Sequence, residues 1–246
     1  MSPRARFWFV SIAAAATVGV TGALGFWQLS RAAQKQALED RIEERAALAP
    51  LGASDLLPAP PDLDALLHRP VVLRGRWLAE ASVYLDNRPM AGRSGFILVT
   101  PLQPTGFKGA VLVQRGWVPR DFRDRSKVPE VPTPADEVEV RGRLAPPPSR
   151  LFELGAAETG RIRQNLDLAA VAHTSGLSLP ALSVLQTGAS PEGLLREWPR
   201  FESAVHKHHG YAAQWFAMSA VTAGLYAWFQ LISPRRRRKL HGQHPR

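Results

Sequence analysis

The sequence predicts a membrane protein in which two transmembrane α-helices, one at each end, flank a β-rich extracytoplasmic domain of α+β type with mainly antiparallel strands. Three observations carry this. Phe7 to Leu29 contain no charge. Tyr211 to Ile232 form a second apolar run, closed by Pro234 and then Arg235, Arg236, Arg237, Arg238 and Lys239. Between the runs, from Val71 on, short β-branched stretches alternate with Gly, Pro and Asn turns. The expected organisation is a cytoplasmic N-terminus (1–6), a first span (7–29), the domain (30–210), a second span (211–232) and a basic cytoplasmic tail (233–246).

At about 1.5 Å per residue, the first run reaches roughly 34 Å and spans a bilayer. A signal peptide has a shorter apolar core and ends in small residues. This run ends in Phe26, Trp27, Gln28 and Leu29, which favours an uncleaved anchor with Trp27 at the bilayer edge. Arg31 to Ala47 has the charge spacing of a helix and reads as a short continuation of the first span. Residues 48–70 are rich in Ala, Leu and Pro and read as a loop with one helical piece near Asp62–Leu67. Strands are expected at Val71–Trp77, Ser82–Asp86, Gly95–Thr100, Ala110–Arg115, Val138–Leu144 and Ala181–Leu185. Turns are expected at Asp86–Pro89 and Pro104–Gly106. Asp167–Thr174 reads as a helix. Short connections favour antiparallel pairing, because parallel strands need long crossovers.

The charge distribution sets the topology and excludes one class of partner. The end segments 1–29 and 211–246 carry eight Lys/Arg and no acid, whereas the stretch between them carries 23 Lys/Arg and 21 Asp/Glu. Basic tails place both termini in the cytoplasm, and a long translocated loop has little say. A near-neutral middle domain argues against nucleic-acid binding, and lipid is the expected environment of the ends. With no cysteine, disulfides, thiolate metal sites and cysteine nucleophiles are excluded. No nucleophile elbow, phosphate-binding loop or zinc-ligand spacing appears, and no enzymatic activity is expected. The lack of a presequence ahead of Phe7 fits a bacterial inner-membrane protein better than an imported mitochondrial one, and the Ala/Arg/Pro bias suggests a GC-rich genome.

The chemical feature is His206-Lys207-His208-His209-Gly210-Tyr211-Ala212-Ala213-Gln214-Trp215, at the mouth of the second span. On a helix, His208, Tyr211, Ala212 and Trp215 share one face. An imidazole beside an aromatic ring and small residues suits axial ligation of a flat tetrapyrrole, whose iron takes a proximal histidine. The competing reading is that these histidines cap a helix at the headgroup boundary. Trp27-Gln28-Leu29-Ser30-Arg31 closes the first span on the same side, either as an aromatic anchor with a polar stop or with Arg31 paired to a carboxylate near the second span's mouth. Gln114-Arg115-Gly116-Trp117-Val118-Pro119 reads as a strand end opening into a loop. Gly116 permits a bulge or a close backbone approach there. Arg115, Gly116 and Trp117 are candidate partner contacts; the alternative is a core Trp beside a solvated Arg.

These pieces together resemble the Surfeit locus protein 1 (Shy-one type) family of cytochrome c oxidase assembly factors. The resemblance rests on Gly25-x-Trp27-Gln28-Leu29-x-Arg31-x-x-x-Lys35, Asn87-Arg88, Gly95-Phe96, Thr100-Pro101-Leu102 and Val111-Leu112-Val113-x-Arg115-Gly116-Trp117-Val118-Pro119. It continues with Val140-x-Gly142, Asn165-Leu166-Asp167 and His208-x-x-Tyr211-Ala212-x-x-Trp215-Phe216. It implies two spans around an extracytoplasmic β-rich domain and a chaperone role in respiratory chain biogenesis. The cargo would be haem a and the partner the catalytic subunit of the oxidase, with the haem a synthesis enzyme as a further partner. The implied iron ligand is His208, with His209 or His206 as substitutes. Tyr211 and Trp215 would shape the pocket, and Trp27, Gln28 and Arg31 would close it. A scaffold that stabilises an oxidase assembly intermediate without binding haem is the alternative function.

Overall fold

A computed structural model describes residues 1–58, 60, 62–121, 123–124, 127–152, 160–199 and 204–234. The basic run Arg235–Lys239 lies outside the described residues. The chain forms two compact units, residues 1–40 with the segment from 201 onward, and residues 41–200.

The first unit is a pair of antiparallel helices. Helix α1 runs unbroken over Pro3–Ala46, so the apolar run and the charged stretch after it are one element. Helix α3 covers Val205–Tyr226 and continues as a π-helical turn over Ala227–Ile232. Both are long and apolar enough to cross a membrane.

The less exposed residues of α1 include Ser11, Ala14, Val18, Thr21, Gly25, Gln28 and Ala32. Steps of three and four repeat every seven residues, the spacing of a helix–helix seam. On α3 the matching series is His208, Ala212, Trp215, Ser219, Thr222 and Tyr226. Small residues on α1 let the axes approach, as in membrane helix pairs. A Cβ on Gly25 would sit 2.6 Å from the Phe216 ring. The Phe216 ring also meets Phe26 edge-on at 5.2 Å. Ser11 Oγ and Tyr226 Oη are 2.8 Å apart, and Ser219 Oγ donates to Val18 O at 3.2 Å.

The second unit is built on seven strands: β1 (Pro70–Trp77), β2 (Val83–Leu85), β3 (Gly95–Pro104), β4 (Val111–Pro119), β5 (Val138–Ala145), β6 (Ile162–Arg163) and β7 (Ser183–Gln186). Helix α2, Leu168–Ser175, is capped by Asp167, whose carboxylate accepts from the amides of Ala169 and Ala170. Strand order is β1-β5-β7-β4-β3-β2-β6, with a further β1–β3 pairing. That extra pairing closes five strands, β1, β5, β7, β4 and β3, into a ring. β2 and β6 extend from β3 as a flap.

Five of the seven strand pairs are antiparallel, as the short connections predict, while β2–β6 and β4–β7 are parallel. The short-connection rule governs neighbours in sequence, and these two pairs are joined by more than sixty residues. The largest buried apolar cluster takes Val71 and Leu73 from β1, Val111 and Val113 from β4, Val140 and Leu144 from β5, and Val184 from β7. Leu51, Leu56 and Leu57 of the preceding loop complete it.

The expectation of a docking loop at Arg115–Pro119 is corrected. Strand β4 continues to Pro119, and Arg115 and Trp117 are each only 1% exposed. Leu98 pairs with Gly116 but Val99 pairs with Gln114, so Arg115 is the extra residue of a β-bulge. Gly116 takes φ +155, and a Cβ there would lie 2.6 Å from Leu194 Cβ. The bulge turns Arg115 into a cluster of loops. Its guanidinium donates to Thr133 Oγ1 at 2.6 Å and to Pro132 O at 2.9 Å, and lies 4.9 Å from the Trp77 ring centroid. Glu192 is 3.5 Å away and is held more closely by Arg196, at 3.0 Å. Trp117 donates from Nε1 to Arg88 O at 2.7 Å. Arg115, Gly116 and Trp117 therefore hold the domain together and present no surface to a partner. The Trp is a core residue, and the Arg beside it is buried rather than solvated.

Burial raises the Glu192 carboxyl, but its own backbone amide, Arg196, Ser190 and Arg115 outweigh that and hold it below the ordinary glutamate range. A depressed folded-state value contributes stability that is complete above the unfolded value and is lost as pH falls through the folded one. Glu192→Gln is expected to lower stability at neutral pH and to flatten the acid limb of the stability curve. Chemical denaturation between pH 7 and pH 3 checks this; parallel curves for wild type and variant would contradict it.

Candidate functional site

Within the helix pair, α1 and α3 bring two of the expected site residues together. His208 Nδ1 and Gln28 Oε1 are 2.7 Å apart, although 180 residues separate them in sequence. Both belong to the seam series, in which Gly25 precedes Gln28 on α1 and Ala212 follows His208 on α3. Ala212 is 2% exposed, so a larger side chain there would push the helices apart. His208 is half-buried, whereas His206 and His209 are exposed. Among the described residues, Nε2 of His208 has no hydrogen-bond partner.

The other expected residues are placed less tightly. Trp215 is half-buried on the seam, but Tyr211 is 53% exposed and lies off it. Trp27 is likewise 53% exposed, one position away from the seam at Gln28. Arg31, exposed and three residues beyond Gln28, donates from Nη1 to Gln34 Oε1 at 3.1 Å. Among the described residues, Tyr211, Trp27 and Arg31 make no hydrogen bond to the imidazole, which is engaged by Gln28.

Among the described residues, no group of three or more His, Asp or Glu comes together to hold a metal ion. A lone imidazole binds a metal firmly only when other donors already fill most of its coordination sphere. His208 could serve as one donor to a metal whose other donors come from a bound group.

The second unit also carries a cleft of about 980 Å³ whose lining includes Arg76, Trp77, Glu80, Ser82, Arg161 and Arg163. It is built from segments far apart in sequence, and no local pattern announces it.

A five-strand ring with a flap, flanked in sequence by two long apolar helices whose seam holds one imidazole, defines a β-rich domain carried between two helices long and apolar enough to cross a membrane. The model of the SURF1 family matches residues 15–220, which takes in every strand and most of both long helices, and the chain belongs to that family. It is 27% identical to a SURF1-like protein of Drosophila melanogaster over 93% of this chain and 78% of that one. It is 28% identical to Surfeit locus protein 1 of Mus musculus over 91% of this chain and 74% of the relative. Surfeit locus protein 1 of Arabidopsis thaliana is 32% identical over 44% of this chain, and that match spans only 33% of the plant protein's length.

Proposed function

We propose that this chain is an assembly factor for haem-copper cytochrome c oxidase that carries haem a and hands it to the catalytic subunit without catalytic turnover. The observation that carries the reading is the single half-buried imidazole of His208, held between two apolar helices with one ring nitrogen engaged and the other without a partner. Membership of the SURF1 family supports it.

Both helices span the inner membrane in this reading, with the termini in the cytoplasm and residues 41–200 in the periplasm. His208 would hold the iron of haem a, a metal that takes an imidazole ligand. Tyr211 and Trp215 offer aromatic surface, and Trp27 sits at the interfacial level. Arg31 offers a cation for a propionate. A carrier must release its cargo, so one imidazole with an accessible edge suits the task better than two buried ones.

The test is a reduced-minus-oxidised spectrum of the full chain co-produced with the haem a synthesis enzymes. Wild type is expected to carry haem a, His208→Ala to lose it at least tenfold, and His209→Ala to keep it. Haem-free wild type from membranes rich in haem a would overturn the carrier reading and leave a scaffold that steadies an assembly intermediate.

A further inference from the structure

We propose that Gln28 is the positioning residue that decides which nitrogen of His208 faces the iron: it holds the proton on Nδ1 and so leaves the Nε2 lone pair for the metal. The inference rests on the haem reading but makes a claim of its own about the haem-free protein.

The orientation of the Gln28 carboxamide sets the tautomer, because Oε1 rather than Nε2 faces the ring. A glutamine Oε1 can only accept a hydrogen bond. At 2.7 Å from Oε1, His208 Nδ1 must therefore carry a hydrogen. In a neutral imidazole one nitrogen then donates and the other bears the lone pair, so Nε2 is the nitrogen able to bind a metal. A metal-bound histidine commonly gives its second N–H to an acceptor that fixes the ring and strengthens it as a donor. Gln28 is placed to be that acceptor before any metal arrives.

The surroundings leave Gln28 without a rival. On the exposed side of α1, Arg31 is bonded to Gln34, and Gln34 Nε2 donates to Ser30 Oγ at 3.4 Å. Among the described residues, His208 is the hydrogen-bond partner of the Gln28 side chain. Of the three imidazoles at this mouth, only His208 has a hydrogen-bond partner among the described residues. The same bond therefore separates the three candidate ligands. It is also an interhelical bond, so the tautomer is set by the packing of α1 on α3 and not by α3 alone.

The test uses the full chain in detergent. Nitrogen-15 NMR of the haem-free protein, above the pH at which imidazole is charged, reads which ring nitrogen of His208 holds the hydrogen; His208→Asn assigns the signal. Wild type is expected to show a protonated Nδ1 and a bare Nε2. Gln28→Leu should shift the hydrogen towards Nε2, the form a free imidazole favours, and weaken haem a binding by about 10–100-fold. Gln28→Glu keeps an acceptor in place. It should retain the wild-type tautomer and bind haem a with a lower reduction potential, because a carboxylate makes the ring a stronger donor.

A wild-type His208 protonated at Nε2 would overturn the inference. So would a Gln28→Leu variant with unchanged NMR pattern and unchanged haem affinity. If wild type shows the expected tautomer but takes up no haem a, the carrier reading fails and the positioning of the ring stands.

Discussion

Gly75→Val is expected to unfold the β-rich unit, with a loss of more than about 4 kcal/mol, in the range reached only when a backbone contact is broken. Gly75 stands where the ring of strands closes. It faces Val138 of β5 on one side and Pro104 of β3 on the other. A Cβ built there would lie 2.2 Å from Gln103 O and 2.7 Å from Pro104 Cα. Those atoms belong to the backbone of β3 and cannot turn aside as a flexible side chain can. A side chain at 75 must therefore break either the β1–β3 pairing or the β1–β5 pairing. The check is chemical denaturation of the full chain, with Gly52→Ala as control, since a Cβ at Gly52 meets only Asp55 at 3.8 Å. The control should stay within about 0.5 kcal/mol of wild type. A Gly75→Val protein as stable as the control would mean the ring is not closed at this point.

Arg115→Met is expected to cost about 3 kcal/mol, near the lower end of the loss that removing one member of a buried charged cluster brings. Methionine keeps an apolar stem but forfeits the bonds to Thr133 and Pro132 and the stacking on Trp77. Glu192 retains Arg196, which keeps the loss from being larger. Lysine should not rescue it. A single ammonium cannot reproduce a planar fork that serves two loops and a ring at once. Limited proteolysis should show earlier cleavage in 128–134 and 188–196 than in wild type. A variant of wild-type stability that merely lost an oxidase partner would restore Arg115 as a surface contact and contradict its burial.

These two positions separate what a linear sequence displays from what it conceals. The strands at Val71–Trp77 and Val138–Leu144 are legible because alternation is local and each stretch carries its own signal. The β6 strand, Ile162–Arg163, is two residues long and has no period to detect. Closure of the ring joins Gly75 to Pro104 and Val138, a relation between strands that no single window contains. Arg115 reads as outward-facing in sequence because arginine is nearly always exposed unless paired. Its partners, Thr133 and Glu192, come from loops that fold back long after it in the chain.

The candidate site divides in the same way. His208 stands out by its setting at the mouth of an apolar run. Gln28 groups with Trp27 and Arg31 because all three end the first run. Only the register of α1 against α3 separates them, placing Gln28 on the seam and Trp27 off it. That register is in principle readable from the small residues at Ser11, Ala14, Val18, Thr21 and Gly25, which recur by threes and fours. Such residues carry far less chemical signal than the aromatic and imidazole groups around them.

The place of β7 has a consequence for synthesis. Four of the five ring strands are complete once Ala145 has been made, but Ser183–Gln186 must still enter between β4 and β5, parallel to the first and antiparallel to the second. Until then, Leu112–Gln114 and Gly142–Ala145 are open strand edges that any extended chain can join. A message cut short between codons 146 and 182 would yield not a smaller working domain but a ring with a gap, prone to clump with its own kind. The last strand is a keystone, and it is laid only shortly before the second long helix begins at Val205.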